Sequence, residues 1–295
     1  MRFAFTDEQL AFRDAARDLL EKECPPHAVR AAWGNETGRA PGLWQKLGAL
    51  GLFDEGAQPT DLVLVIEETG RACAPEPVIE AFATRRPDAT LALAHTPYAL
   101  YADQVAEVVV ESNGRLVAGS VDGPVESVDR SRRLFSVTAR SDASDLDLAL
   151  GEVADRAALA TAAQLLGLAD AMLELTVPYA VERKQFGVPI GSFQAVKHHL
   201  ADAALALEFA RPLVYRAAWE LEHATEDVAV AVSLAKSAAS EAAVIASRKA
   251  LQVHGAIGYA HEYDLHLWMK RAWALAEAWG SPAWHRNRIA ATVGL

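Results

Sequence analysis

The sequence predicts a mainly α-helical protein carrying one small β subdomain, and three observations predict it. Apolar residues recur at helical spacing over residues 1–87 and again from about 155 onward. Over 88–150 the period shortens to two, as a strand with one buried face requires. Residues 201–250 hold 17 alanines, one proline and no glycine, and side chains that small let helices approach closely. The last part of the chain therefore reads as an antiparallel four-helix bundle. A length of 295 residues accommodates the three packed parts this implies, 1–87, 88–150 and 151–295.

The elements follow in chain order. Thr6 and Gln9 have capping-box spacing, with Phe5 placed to staple onto Leu10, and the helix they start runs Asp7 to Glu23 until Pro25-Pro26 stops it. Pro41 to Gly51 is a short helix ended by glycine, Thr60 is placed to cap Asp61 to Cys73, and Pro75 and Pro77 punctuate the chain. Val105 to Val110 is a strand candidate, Asn113-Gly114 a hairpin turn into Leu116-Val117, and Leu134 to Ala139 and Leu146 to Leu150 both alternate. Val196, Leu200, Ala203, Leu207, Ala210, Val214, Ala217 and Leu221 step by fours and threes, a stripe facing other helices. Val228, Val232, Ala235, Ala239, Ala242 and Ala246 repeat that spacing, and kinks are expected at Pro178 and Pro212.

Composition excludes several function classes. Twenty-eight Lys and Arg against 39 Asp and Glu give a net charge of −11, which argues against nucleic-acid binding and against a polybasic membrane patch. A 52% hydrophobic and 23% charged chain has the composition of an ordered globular protein. Two cysteines in no metal or CxxC spacing exclude a disulfide scaffold and suit a reducing cytoplasm. The chain turns acidic at Asp7-Glu8 before any apolar run develops, so no signal peptide is expected. No uncharged apolar stretch approaches the ~18 residues of a membrane span. His261 and His266 are one residue too far apart to share a helix face as zinc ligands, and no metal site is expected. His198-His199 point to different helix faces, and Glu67-Glu68 reads as a solvated helix face. No Walker loop, GxGxxG fingerprint or GxSxG elbow occurs.

Two segments stand out. The first runs Tyr179 to His198 through Arg183-Lys184-Gln185-Phe186-Gly187-Val188-Pro189-Ile190-Gly191-Ser192-Phe193-Gln194. It sets an arginine at a helix end, then a Gly/Pro turn, then a new helix capped by Ser192. Arg183 offers a planar two-pronged fork to a pyrophosphate, assisted by helix-end amides. The second is Leu251-Gln252-Val253-His254-Gly255-Ala256-Ile257-Gly258-Tyr259, followed by Trp268-Met269-Lys270-Arg271-Ala272. Gly255 bares a backbone to close approach and Gln252 offers a polar amide. Taken singly, each is equally a helix–turn–helix corner with a surface arginine or a glycine cap.

Together, in this order and about 70 residues apart, they resemble the C-terminal domain of the acyl-CoA dehydrogenase family. The resemblance is continuous over about 155–200 and 250–288, moderate over the helical N-terminus and poor over 88–150. It implies an N-terminal helical domain, a middle β domain, shortened here, and a C-terminal four-helix bundle. It further implies that Arg183, Phe186 and Gln194, with Gln252, Val253, His254, Gly255 and Ala256, hold the ADP half of an FAD whose flavin sits in a neighbouring subunit. Ala256 departs from the family's second glycine.

The departures carry more weight. The reaction of the family needs a carboxylate to take the proton α to the thioester while a hydride leaves the β carbon for the flavin. The family's Tyr-Glu-Gly-Thr turn, in register from Met269, places that base at Trp279, and an indole N–H is a donor only. The alternative base position, before Arg183, is Ala157, followed by Ala158. Glu277, two residues before Trp279, is a weak substitute. No tryptophan lies between Trp44 and Trp219, so the flavin-contacting strand typical of the family has no counterpart.

The pattern resembles the non-catalytic subunits of heteromeric α2β2 acyl-CoA dehydrogenases, as in bacterial steroid side-chain degradation. On that expectation a paralogous partner carries the catalytic Glu and the acyl-CoA, and an electron-transfer flavoprotein takes the electrons. The alternatives are a self-sufficient homo-oligomer with a non-standard base, and a flavin-free scaffold.

Overall fold

The computed structural model describes residues 4–54 and 56–294. Among the described residues, ten α-helices and seven short or medium strands follow in the order α1 Asp7–Glu23, α2 Pro26–Gly34, α3 Leu43–Leu50, α4 Pro59–Arg71, α5 Val78–Thr84, β1 Ala89–Ala92, β2 Tyr98–Leu100, β3 Glu107–Ser112, β4 Arg115–Val125, β5 Leu134–Ala139, α6 Leu150–Glu182, β6 Lys184–Gln185, β7 Val188–Pro189, α7 Gln194–Glu222, α8 Val228–His254, α9 Leu265–Glu277 and α10 Pro282–Thr292. This is the mainly α architecture with a small sheet that the periodicities predict.

The capping box forms: Gln9 N donates to Thr6 Oγ1 at 3.2 Å and Thr6 N to Gln9 Oε1 at 2.9 Å. Phe5 packs edge-on against Tyr215 of α7 at 4.9 Å. Pro25-Pro26 ends α1 but also begins α2, because a proline lacks the N–H that the first helical turn leaves unpaired. Thr60 is not the cap of α4. Pro59 opens that helix, the Asp61 carboxylate accepts from Gln58 N at 3.1 Å, and the Thr60 hydroxyl donates to Glu222 instead.

The five-stranded sheet has the order β1-β3-β4-β5-β2, with β1 parallel to β3 and the other pairings antiparallel. Asn113 and Gly114, at φ 51° and 76°, make the expected tight turn between β3 and β4. Leu146 to Leu150 is not a strand: Leu146 N reaches Leu116 O at 2.8 Å, and Leu150 already starts α6. β1 and β2 escaped the sequence reading because four and three mostly buried residues carry no alternation.

The helical core is continuous from α1 to α9. On α7, Ala203, Leu207, Ala210, Val214 and Ala217 are buried as the stripe predicts, as are Val232, Ala235, Ala239, Ala242 and Ala246 of α8. The helices run unbroken through Pro178 and Pro212. Ser192 does not cap α7. Phe193 holds that position while Ser192 Oγ donates to Pro189 O at 2.6 Å. α4 crosses α6 at backbone contact, since a Cβ on Gly167 would lie 1.9 Å from Glu67 O and one on Gly70 2.1 Å from Gln164 O.

Glu67 and Glu68 are not a solvated face. Both are buried, Glu68 pairing with Arg17 at 2.5 Å and Glu67 with Arg211. Burial pushes Glu67 up to about 7 against the pull of Arg211 and Tyr215. Two helical stretches, Leu150–Glu182 and Val228–Tyr259, are long and apolar enough to cross a bilayer by length and composition, and most of each is buried inside the fold.

Candidate functional site

The two sequence motifs, far apart in the chain, meet in space. Tyr179 near the end of α6 stacks on His254 at the end of α8, ring centroids 4.2 Å apart. Lys249 of α8 reaches His199 Nδ1 and Asp202 Oδ2 of α7, both at 3.0 Å. The start of α7 thus lies beside the end of α8.

Arg183 closes α6 in an extended conformation, its N–H donating to Tyr179 O at 2.8 Å and its carbonyl accepting from Ile190 N at 2.8 Å. Its guanidinium is exposed. The β6–β7 hairpin follows, with Phe186 and Gly187 at its tip at φ 53° and 83°, so that Phe186 is 94% exposed. Gln194 is exposed in the first turn of α7, whose free amides favour an anion. Gln252, Gly255 and Ala256 are exposed too. Gly255, at φ 65° and ψ −146° with nothing within 4 Å of a Cβ placed on it, leaves a bare backbone corner.

Val253 and His254 differ from these, being buried. His254 Nδ1 donates to Ala250 O at 2.9 Å and Nε2 accepts from Tyr263 Oη at 3.1 Å, so both ring nitrogens are committed. Burial keeps the imidazole below its usual value and hence neutral. Its side chain positions the α8 end; it presents no free polar atom to a ligand. The donors left for an anionic ligand are Arg183, the α7 amides, Gln252 and the corner at Gly255, a set that suits a diphosphate.

The expected base positions hold no base. Ala157 is fully buried within α6. Trp279 is 1% exposed and sits at φ 56°, with its N–H donating to Thr96 Oγ1 at 2.7 Å and its carbonyl accepting from His285 Nε2 at 2.9 Å. Glu277 is exposed at the end of α9.

Sequence reasoning missed the groups that build this corner. Lys236 of α8 is fully buried and donates to Ser240 Oγ at 3.0 Å and to the carbonyls of Ala276 and Gly280, each at 2.9 Å. Burial pushes its ammonium down to about 7, with Glu277 opposing. Burial and the nearby Lys236 push His285 down to about 3. The available signal was a lysine set among alanines and serines in the most apolar stretch of α8.

Arg271, part of the second sequence segment but given no role there, is another such group. It donates to Ala74 O at 2.9 Å and Ser131 Oγ at 2.8 Å and pairs with Asp129. Burial alone would raise the Asp129 carboxyl, and Arg271 overcomes it and holds the group below the usual carboxylate range.

Residues 148–294 match the family model for the acyl-CoA dehydrogenase C-terminal domain and residues 6–84 the model for its N-terminal domain. The chain is 31% identical to acyl-CoA dehydrogenase IpdE2 of Mycolicibacterium smegmatis, covering 98% of this chain and 99% of that one. It is 32% identical to IpdE2 of Mycobacterium tuberculosis, covering 97% and 98%. Among solved structures, the Tcur3481-Tcur3483 steroid ACAD variant aligns with a TM-score of 0.86 at 21% identity, covering 98% of each chain. The ChsE4-ChsE5 complex from Mycobacterium tuberculosis aligns with a TM-score of 0.86 at 19% identity, covering 100% of this chain and 99% of that one.

Proposed function

This chain belongs to the acyl-CoA dehydrogenase family, and from that premise we propose that it is the non-catalytic subunit of a heteromeric FAD-dependent acyl-CoA dehydrogenase. One observation carries the reading. The diphosphate-type donors, Arg183, the first turn of α7 and Gln252, lie on the outside of the chain beside a Phe186 that is 94% exposed, while the base position is a Trp279 that is 1% exposed. A half-site facing outward with no acid–base group behind it requires a second chain to complete it.

In the complex, Arg183 grips the diphosphate of FAD, the α7 amides and Gln252 supply further polar contacts, and Phe186 covers an apolar edge. FAD supplies the hydride acceptor for α,β-desaturation of an acyl-CoA. A paralogous partner supplies the carboxylate, the flavin contacts and most of the acyl-CoA site, in an α2β2 assembly. Relatives whose names include a steroid dehydrogenase and a two-component complex favour a bulky, steroid side-chain thioester as substrate. The proposal divides the chain at 1–87, 88–150 and 151–295. A cytoplasmic location and an electron-transfer flavoprotein as acceptor complete the proposal.

The test is to purify the chain alone and together with its encoded paralogue, recording flavin absorbance and native mass of each. The reading expects a colourless or self-associated chain alone, and a yellow heterotetramer with about one FAD per heterodimer. A chain that alone carries one FAD per protomer and oxidises an acyl-CoA would overturn it in favour of a homo-oligomer. A colourless heteromer would leave only a scaffold.

A further inference from the structure

We infer that Tyr179 is a positioning residue for the cofactor half-site: it fixes the separation between Arg183 and the backbone corner at Gly255, so that both engage one diphosphate together. The inference rests on the half-site reading and goes beyond it, because that reading names the donors and leaves Tyr179 without a role.

Tyr179 touches both halves of the donor set. Its carbonyl accepts from Arg183 N at 2.8 Å, which anchors the last turn of α6. Its hydroxyl donates to His254 O at 3.4 Å, and His254 immediately precedes Gly255. Between these two bonds the phenol ring stacks on the His254 imidazole, centroids 4.2 Å apart and planes inclined by 23°. Arg183 and Gly255 are the capping residues that end α6 and α8. Helix ends fray, and neither helix by itself sets how far its last residue stands from that of the other. The stacked pair does.

The pair is braced from behind. His254 Nδ1 donates to Ala250 O at 2.9 Å, and Nε2 accepts from Tyr263 Oη at 3.1 Å. The Tyr263 ring also lies edge-on to Tyr179 at 6.1 Å. Three rings, from the end of α6, the end of α8 and the loop before α9, thus close one cluster beneath the corner. The turn after Gly255 packs on it, since a Cβ on Gly258 would lie 2.8 Å from His254 Cβ. On the other side, Ile190 N donates to Arg183 O at 2.8 Å, and a Cβ on Gly191 would lie 2.9 Å from Ala180 O. The backbone of Arg183 is therefore held from both directions while its guanidinium stays exposed.

A ligand that bridges two fraying helix ends has to order both as it binds, and that ordering subtracts from affinity. A cluster that orders them beforehand removes the cost. The gain exists only while both donors are present, so the contribution of Tyr179 to binding depends on Arg183. A ring that merely filled space would weaken binding to the same degree whether or not Arg183 were there.

The test measures that dependence. The heteromer is purified with its FAD and dialysed against a series of FAD concentrations, and the flavin retained gives a dissociation constant. Y179F keeps the ring and loses only the bond to His254 O; it should weaken FAD about threefold, and Y179L, which also loses the stack, about tenfold. In the R183A background neither change should weaken FAD further, and the heterotetramer and the melting temperature of Y179F should match the wild type. A Y179F constant equal to the wild type, or a loss that persists undiminished in R183A, overturns the inference. Should Y179L fail to fold, Y179F carries the test alone. An R183A heteromer that holds FAD as tightly as the wild type defeats the half-site reading itself, whereas a weakened R183A with an unaffected Y179F defeats only this inference.

Discussion

Lys236 shows what one buried charge can do without a carboxylate hydrogen-bonded to it. Its three acceptors are a hydroxyl and two carbonyls, which solvate an ammonium less well than water does. The folded chain therefore releases the proton at about 7, whereas the unfolded chain keeps it to about 10.4. The unfolded state binds more protons across that window, so this group makes stability rise as pH rises through it. K236M removes the titration, and thermal unfolding followed between pH 6.5 and 9.5 should lose this rising component relative to the wild type. An unchanged slope would mean that Lys236 stays charged in the fold. Arg183 is the opposite case, an exposed guanidinium with no ion-pair partner among the described residues. R183A should leave the melting temperature of the chain unchanged and, in the heteromer, weaken FAD retention about tenfold or more, as loss of a charge-assisted fork does. Dialysis of the variant heteromer against flavin-free buffer measures it.

Two element contacts hold the parts of the chain together. α4 and α6 touch at backbone distance, and G167A would drive a methyl group into Glu67 O, 1.9 Å from the ideal Cβ. We expect it to cost at least about 2 kcal/mol by urea unfolding, as overpacking with forced backbone shifts does. Arg271 and Asp129 join α9 to the β4–β5 loop as a fully buried ion pair, so D129N, which leaves the arginine uncompensated, should cost about 3–5 kcal/mol. A D129N melting temperature within a degree of the wild type would dismiss the pair as a structural tie. These contacts mark where the sequence stopped being legible. Periodicity reports which face of a helix is apolar, so the α7 and α8 stripes and the β3–β4 turn were readable in advance. It cannot report which distant carboxylate neutralises an arginine, and so Glu67 and Glu68, adjacent acids on a helix, read as surface when each has a cation from another helix. Prolines misled for a related reason: Pro26 and Pro59 serve as first helical residues, where the missing N–H is harmless. Within the candidate site, Arg183, Gln194 and Gln252 were legible because exposed polar residues at helix ends stand out in a string. The locking of Trp279 was not, because Thr96, Lys236 and His285 come from three segments with no common spacing.

At the scale of the whole molecule, several large apolar side chains of α6, α7 and the hairpin between them are exposed. Leu205 and Phe209, one helical turn apart on α7, are 58% and 70% exposed. Val177 and Val181 on α6 and Phe186 on the following hairpin are exposed as well. These residues belong to the same helices that carry Arg183 and Gln194, so a subunit contact that covers them also brings a partner to the half-site. Single exposed apolar residues are ordinary, but a group of them beside a site argues for an interface. Replacing Leu205 and Phe209 by aspartate should leave the fold intact, since neither is in the core, and the isolated variant should keep the wild-type helical signal and melting temperature. Co-purified with the paralogue, it should lose the heterotetramer and with it the bound flavin, while R183A loses flavin with the heterotetramer intact. That pair of outcomes, assembly lost in one variant and retained in the other, separates a surface that joins the subunits from a side chain that holds the cofactor. If the aspartate variant still assembled and stayed yellow, the partner would have to approach from another face, and the outward-facing half-site would need a different second chain to complete it.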